Sequence, residues 1–344
     1  MSRRKKIFIM VMVAISMITV TVTFYGYQLV KTPNFQVDKK DAYLYIPQGA
    51  NFKTVLDSLK KNDLIQNTVS FAFLSKLMNY QESVKPGRYK IKRSMTNQEA
   101  VRMLRSGNQS PVKLTFNNVR LKQDLVKRVS KNLNLSPAQL EKLLNDPKTV
   151  NKYGFDTTNI VSMFLPNTYQ VYWNTSPEKL LDRMHQEYKK FWNKKRLTKA
   201  KNLGLKPTEV SVLASIVQAE TAKNDEKARI AGVYVNRLQK GIPLEADPTL
   251  VFALKDFGLK RVLNKHKEVK SPYNTYRNRG LPPGPINIPS ISSLNAVLDY
   301  EQHDYLFFCA KADFSGYHAF AKTNAQHERN ARLYHKALNM RRIR

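Results

Sequence analysis

The sequence predicts an α+β protein. An N-terminal transmembrane helix leads into a small mixed α/β module, a mostly helical middle segment and a C-terminal α+β domain that carries the candidate chemistry. Three observations predict it. Residues Ile7 to Val30 contain no charged side chain and follow Arg3-Arg4-Lys5-Lys6. Strand-like and helix-like runs alternate up to about residue 116, after which helical periodicity dominates. Two short apolar strands then return near the C-terminus, around a turn containing Ser315-Gly316.

The elements follow in order. Residues 1–6 form a basic tail expected to stay in the cytoplasm, and 7–30 are long enough to span a bilayer, for which about 20 apolar residues suffice. A cleaved signal peptide would need a small-x-small site after the run, and no clear one follows. The run leaves through Phe24-Tyr25-Gly26-Tyr27, which suits a membrane interface. An uncleaved single-pass anchor in the cytoplasmic (inner) membrane is expected, with the rest of the chain on the extracytoplasmic, periplasmic side. Residues 31–41 read as a linker. In the module at 42–116, Tyr43–Ile46, Arg88–Ile91 and Val112–Phe116 read as strands. Asn51–Lys61 and Val69–Met78 read as helices, and Thr96 with Glu99 forms a capping box for a third that ends at Gly107. The segment 117–205 has helices at Leu121–Leu133, Pro137–Leu144 and Pro177–Trp192, the last two capped by Ser136 and Ser176. Between them, Phe164-Leu165-Pro166-Asn167-Thr168-Tyr169 is apolar and aromatic. In the domain at 206–344, Val210–Glu220 and Ala228–Lys240 read as helices. Asp247 reads as the N-cap of another, with Pro248 at its first position. A last helix starts at Thr323, with Gln326 completing a capping box.

One carboxylate stands out. In Val210–Thr221 read as a helix, Leu213, Ile216 and Val217 share a face, and Glu220 continues it. Burying a charged carboxylate is costly, so such a group tends to keep its proton and becomes a good general acid near neutral pH. The same placement fits a structural Glu paired with a buried Arg, or one that snorkels to solvent from the helix end. The stretch 271–289 is too rich in Pro, Gly and Asn for regular structure, and a loop of that length inside a compact domain is usually functional. Tyr273, Asn274 and Tyr276 offer stacking faces and hydrogen bonds of the kind sugar grooves use; an ordered surface loop packed on the core would read the same. Arg237 suits an anionic or carbonyl group of a ligand, or equally a helix C-terminus.

Several chemistries are set aside. The chain lacks G-x-S-x-G, H-E-x-x-H and a P-loop. Its 6 His are scattered and its single cysteine, Cys309, can build neither an internal disulfide nor a cysteine metal cluster. No metal and no cofactor is expected. A net charge of +32 fits nucleic acid, an anionic membrane or an anionic wall polymer, and equally a generally basic surface. The export signal argues against nucleic acid.

Five blocks together resemble the YceG-like endolytic murein transglycosylases. They are Ala214–Thr221, Val235-Asn236-Arg237-Leu238, Ala246-Asp247-Pro248-Thr249, Tyr273-Asn274-Thr275-Tyr276 and Gly280-Leu281-Pro282-Pro283-Gly284-Pro285-Ile286. Each block is weak alone; five in this order are specific, and with the anchor and the small module at 42–116 the resemblance covers nearly the whole chain. The resemblance implies that the module at 42–116 is a LysM-like subdomain and that 206–344 is the catalytic domain. Glu220 would be the catalytic acid/base, and peptidoglycan glycan strands the substrate. Asn236, Arg237, Asp247, Tyr273, Asn274, Thr275, Leu281 and Pro282 would be substrate-binding, and cell-wall synthesis enzymes at the membrane are implied partners. Family members often carry a second acidic residue two positions before the glutamate, where this chain has Gln218. Near Tyr169 the chain has Ser162-Met163 and Asn167 where the family pattern has Glu-Gly and Asp. Two other readings remain open: a hydrolase in which Asp247 or Glu245 activates water, and a non-enzymatic wall-binding protein.

Overall fold

A computed structural model of the chain describes residues 2–37, 42–117, 119–259 and 261–340. The expected linker at 31–41 loses its last four residues from that set, and residues 341–344 at the end of the expected C-terminal domain also lie outside it. The protein is a mixed α+β chain in which helices dominate, with small two-stranded sheets. It divides into two compact units. One holds Met1–Lys113, Asn132–Asn134 and Gln170–Thr175; the other holds Leu114–Lys131, Leu135–Tyr169 and Ser176–Arg344.

The first unit opens with α1 (Arg3–Lys31), capped by Ser2, with no residue of it buried. It is the one helix among the described residues long and apolar enough to cross a membrane. Strands β1 (Ala42–Ile46) and β2 (Gly87–Ile91) pair antiparallel, with Leu44 opposite Tyr89. Leu44, Ile46, Tyr89 and Ile91 point to one face and are fully buried, as the two-residue strand period requires. Their core is completed by α2 (Phe52–Lys61), α3 (Thr68–Leu77) and α4 (Asn97–Ser106) through Val55, Leu59, Phe71, Val101 and Leu104. Asn51 and Asn67 cap α2 and α3. The Thr96–Glu99 capping box forms as expected, and Gly107, at φ 74°, closes α4 in the left-handed conformation that favours glycine.

The second unit takes up the chain within β3 (Val112–Phe116). It continues through α5 (Lys122–Asn132), α6 (Pro137–Asn145), α7 (Pro147–Lys152), β4 (Asn167–Val171), α8 (Pro177–Phe191) and α9 (Lys194–Asn202). Ser136 and Ser176 cap their helices as the sequence predicts. The apolar Phe164–Tyr169 segment turns into β4, which pairs with β3; Phe116 stacks on Tyr169 and the Thr115 and Thr168 hydroxyls meet at 2.9 Å. Helix α10 (Pro207–Glu220) is then surrounded by α9, α11 (Lys227–Gln239), α12 (Asp247–Leu254) and α14 (Ile291–Leu298), with the short α13 (Asn264–Lys267) beyond α12. The antiparallel hairpin of β5 (Phe307–Ala310) and β6 (His318–Ala321) packs against α15 (Asn324–Met340).

Three expectations need correction. The apolar stripe expected on the Glu220 helix is a full sheath: every residue from Val210 to Val217 is buried, Ser211 and Ser215 included. A helix wrapped on all sides needs no polar face. Asp247 is not an N-cap. Ala246 takes the cap position and Asp247 is the first helical residue, its carboxylate turned to Tyr276 instead of to its own backbone. In the last capping box only the Thr323 half forms, because Gln326 Oε1 accepts from the Lys322 amide.

Candidate active site

The site is built from the C-terminal end of α10 outward. Because α10 is apolar on nearly all sides, burial fixes its position, and its few polar atoms are paired internally. Ser215 Oγ donates to the Val212 carbonyl and accepts from the Ile286 amide, while Asn287 Nδ2 donates to the Ser215 carbonyl at 2.8 Å. These bonds lay the 280–290 loop along the helix in the same direction. Leu281 and Pro282 lie beside Val212, Ile286 and Asn287 beside Ser215, and Ser290 beside Gln218. Gly284 is required there, since a Cβ would sit 2.3 Å from the Thr158 carbonyl oxygen.

Glu220 is the last residue of α10 and only partly exposed. Its Oε1 accepts from the Tyr234 hydroxyl at 2.5 Å. Burial pushes its pKa up to about 7; the Tyr234 bond works against that rise, and the negative charge of Asp247 adds to it. Tyr234, on α11, is 2% exposed, and its ring meets Phe308 edge-on at 5.7 Å. Burial and the neighbouring Glu220 raise its pKa well above the ordinary tyrosine value, so it keeps its proton and remains a donor. A second carboxylate–tyrosine pair stands beside the first: Tyr276 donates to Asp247 Oδ1 at 2.6 Å. Tyr276 also has its pKa raised, by burial first, then by Asp247, Glu245 and Glu220. One carboxyl poised near neutrality, a locked phenol donor and a second, exposed carboxylate can together move a proton to and from a bound group.

The segment around Asp247 is pinned from two sides. Thr249 Oγ1 donates to the Ala246 carbonyl, so the Thr275 hydroxyl donates to Thr249 at 2.8 Å and accepts from the Ala246 amide at 3.0 Å. Arg237 is buried and fully engaged. Its guanidinium donates to the Pro243 and Leu306 carbonyls and pairs with Glu245, whose φ of 53° is left-handed. Asn236 Nδ2 donates to the carbonyls of His303 and Tyr305. Asn274 is fully buried, donates to Lys267 and Val269 carbonyls and accepts from the Tyr276 amide. Tyr273 packs on Phe252 at 4.8 Å and is partly exposed.

The structure thus brings Glu220, Asp247 and Tyr276 together, and gives Asn236, Arg237, Asn274 and Thr275 internal bonds that fix the segments around them. Leu281 and Pro282 lie elsewhere: they line a cavity of about 470 Å³ with Lys206, Glu209 and Val212, toward the N-terminal end of α10. Sequence reasoning missed Tyr234, though it sits two residues before Asn236 as a polar group on an apolar helix run. It also missed Lys227. That amine is buried beside Gln218 Oε1 and the Ser290 and Ser292 hydroxyls, and burial pushes its pKa down. Gln218 Oε1 accepts from Ser290 and Ser293 as well. The loop after Glu220 is fastened to β6, where buried Glu226 accepts from the His318 amide and faces its Nδ1 at 2.7 Å.

Comparison with known proteins bears on this arrangement. The model of the YceG-like family matches residues 44–333. An endolytic murein transglycosylase of Streptococcus pneumoniae is 27% identical over 343 residues, covering 89% of this chain. The chain spans only 61% of that relative's length. An endolytic murein transglycosylase of Bacillus subtilis is 28% identical over 334 residues, covering 92% of this chain and 90% of its own. A crystal structure of a yceG-like protein from Listeria monocytogenes superposes with a TM-score of 0.56 at 28% identity, covering 85% of this chain and 99% of the other.

Proposed function

The chain belongs to the YceG-like family, and from that premise we propose that it is a membrane-anchored lytic transglycosylase that cuts peptidoglycan glycan strands internally. The observation that carries the reading is Glu220: a carboxyl with its pKa raised to about 7 by burial, on the end of a rigid helix, hydrogen-bonded by a phenol that stays protonated. The bond cut is the β-1,4 link from N-acetylmuramic acid to N-acetylglucosamine. Protonated Glu220 donates to the glycosidic oxygen as the bond to C1 breaks, and the sugar's own N-acetyl group stabilises the developing cation. The Glu220 carboxylate then takes the proton of the C6 hydroxyl, whose oxygen closes onto C1. The product is a 1,6-anhydro-N-acetylmuramic acid end, no water is consumed, and Glu220 is returned protonated. One carboxyl serves both steps, whereas ordinary glycosidases generally use two.

In this reading Tyr273 lines the glycan groove, with Asn274 and Thr275 shaping it and Asn236 and Arg237 supporting it. Leu281 and Pro282 contact the glycan strand only where it reaches the separate cavity beside Val212. Helix α1 is a single-pass anchor in the cytoplasmic membrane with the remainder outside. The 42–116 module acts as a LysM-like subdomain, and wall-synthesis enzymes at the membrane are its neighbours. The exposed Asp247 supports a second reading, a hydrolase in which it activates water.

Incubating the full chain in detergent with purified peptidoglycan, beside Glu220→Gln, separates these by mass spectrometry of the products. Anhydro ends that disappear in the variant support the transglycosylase. Free reducing ends move the assignment to the hydrolase. Absence of products from folded protein sinks both in favour of a wall-binding role. Loss of general acid/base action corresponds to about a hundred- to ten-thousand-fold in rate.

A further inference from the structure

Helix α3 carries a row that its own module does not use. Val69, Phe73 and Leu77 are spaced by four residues, so they stand one above the other on one face. They are 77%, 55% and 63% exposed, while Phe71 and Leu74 fill the core from the other face. Three large apolar side chains in a line on a helix of ten residues are an unusual amount of surface to leave in water.

The neighbour of that row is α1. Thr21, Val22 and Tyr25 of α1 line a groove of about 730 Å³ together with Ser70 and Phe73 of α3. Asn97 of α4 ties the same end of α1 down by donating to the Leu29 carbonyl at 3.1 Å. At about 1.5 Å per residue, a hydrocarbon core of about 30 Å entered at Ile7 is left near Gly26. Thr21 and Val22 then lie inside the apolar layer and Tyr25 at its edge, and Phe73 shares their depth. Cations stand at the end of each helix: Lys31 ends α1, Lys76 is exposed in the last turn of α3, and Arg105 donates to the Met78 carbonyl just past it. An exposed apolar row with long basic side chains at its end, able to snorkel to headgroups, suits a helix lying in a bilayer interface rich in anionic lipid.

We propose that α3 is a second membrane contact, its Val69–Phe73–Leu77 face seated in the outer interface of the bilayer that α1 crosses, with Lys31, Lys76 and Arg105 at headgroup level. This rests on the reading of α1 as a membrane span. It makes the small module a part fastened flat to the membrane and not one swinging on a tether.

The test is a depth measurement on the full chain in vesicles of mixed phosphatidylcholine and phosphatidylglycerol. In a Cys309→Ser background, nitroxide labels are placed one at a time at Val69→Cys, Phe73→Cys, Ile15→Cys in α1 and Asp57→Cys on the exposed side of α2. Labels at 69 and 73 are expected to collide with lipid-dissolved oxygen several-fold more than with a water-soluble nickel complex, as at 15 and opposite to 57. If 15 reports lipid but 69 and 73 report water, the span stands and the second contact is overturned. If 69 and 73 are shielded from both reagents, protein covers the row and the inference is equally overturned. If 15 itself reports water, the span reading falls and takes this one with it.

Discussion

Glu220 is held by a group that opposes the shift burial gives it, so its acidity is a balance that one side chain can move. In the proposed reaction Glu220 acts protonated, so kcat/KM should fall as pH rises through about 7. Tyr234→Phe removes the bond that lowers the Glu220 pKa. The falling limb should therefore move to higher pH, visible in a kcat/KM profile; an unmoved limb would show that Tyr234 does not set the acidity. Stability carries the same signature. The folded carboxyl holds its proton up to about 7, whereas the unfolded one releases it near 4.5. The unfolded state binds fewer protons across that window, so stability is full below it and is lost as pH rises through it, by about 3 kcal/mol. Urea unfolding at acid and at mildly alkaline pH should show this slope, and Glu220→Gln should lack it. The position of Glu220 was legible in the sequence because it ends an apolar run that reads as one helix. Tyr234 was not, because its partner lies on a different helix and no spacing within either one points across.

The elements around the site are short and owe their form to distant partners. Helix α14 follows a proline-rich loop and is fixed by packing on α10 and α11, which local sequence does not show. Helix α9 is so basic that Ala200 is its one buried residue, Leu197 staying exposed, and β4 exists because β3 pairs with it. Caps were readable at Ser136, Ser176 and Thr96, where the chain's own side chains supply the missing acceptors, whereas the Ser290 cap of α14 and the Asn193 cap of α9 went unread. Asp247 was misjudged as such a cap because a tyrosine 29 residues on competes for its carboxylate. The start of α12 is instead set by Thr275. Thr275→Val leaves the buried Ala246 amide without its acceptor and should lower the unfolding free energy by about 1–3 kcal/mol, measured in urea.

At the scale of the molecule, a net charge of +32 gives the chain a long-range attraction for anionic surfaces that no single residue accounts for. Binding to insoluble peptidoglycan, measured by co-sedimentation with the Glu220→Gln variant, should weaken steeply as salt shortens the screening length from about 10 Å toward 3 Å. Binding indifferent to salt would leave the charge a solubility feature only. The wrapping of α10 on every side has a further consequence, for heat. Helices enclosed in this way open with the whole domain and not by local fraying. The carboxyl proposed to move the proton sits just past the enclosed stretch of that helix and is tied to the buried Tyr234, so warming should not erode its position in advance of melting. Rate measured against temperature should climb until the circular-dichroism transition begins and then collapse with it, in one step.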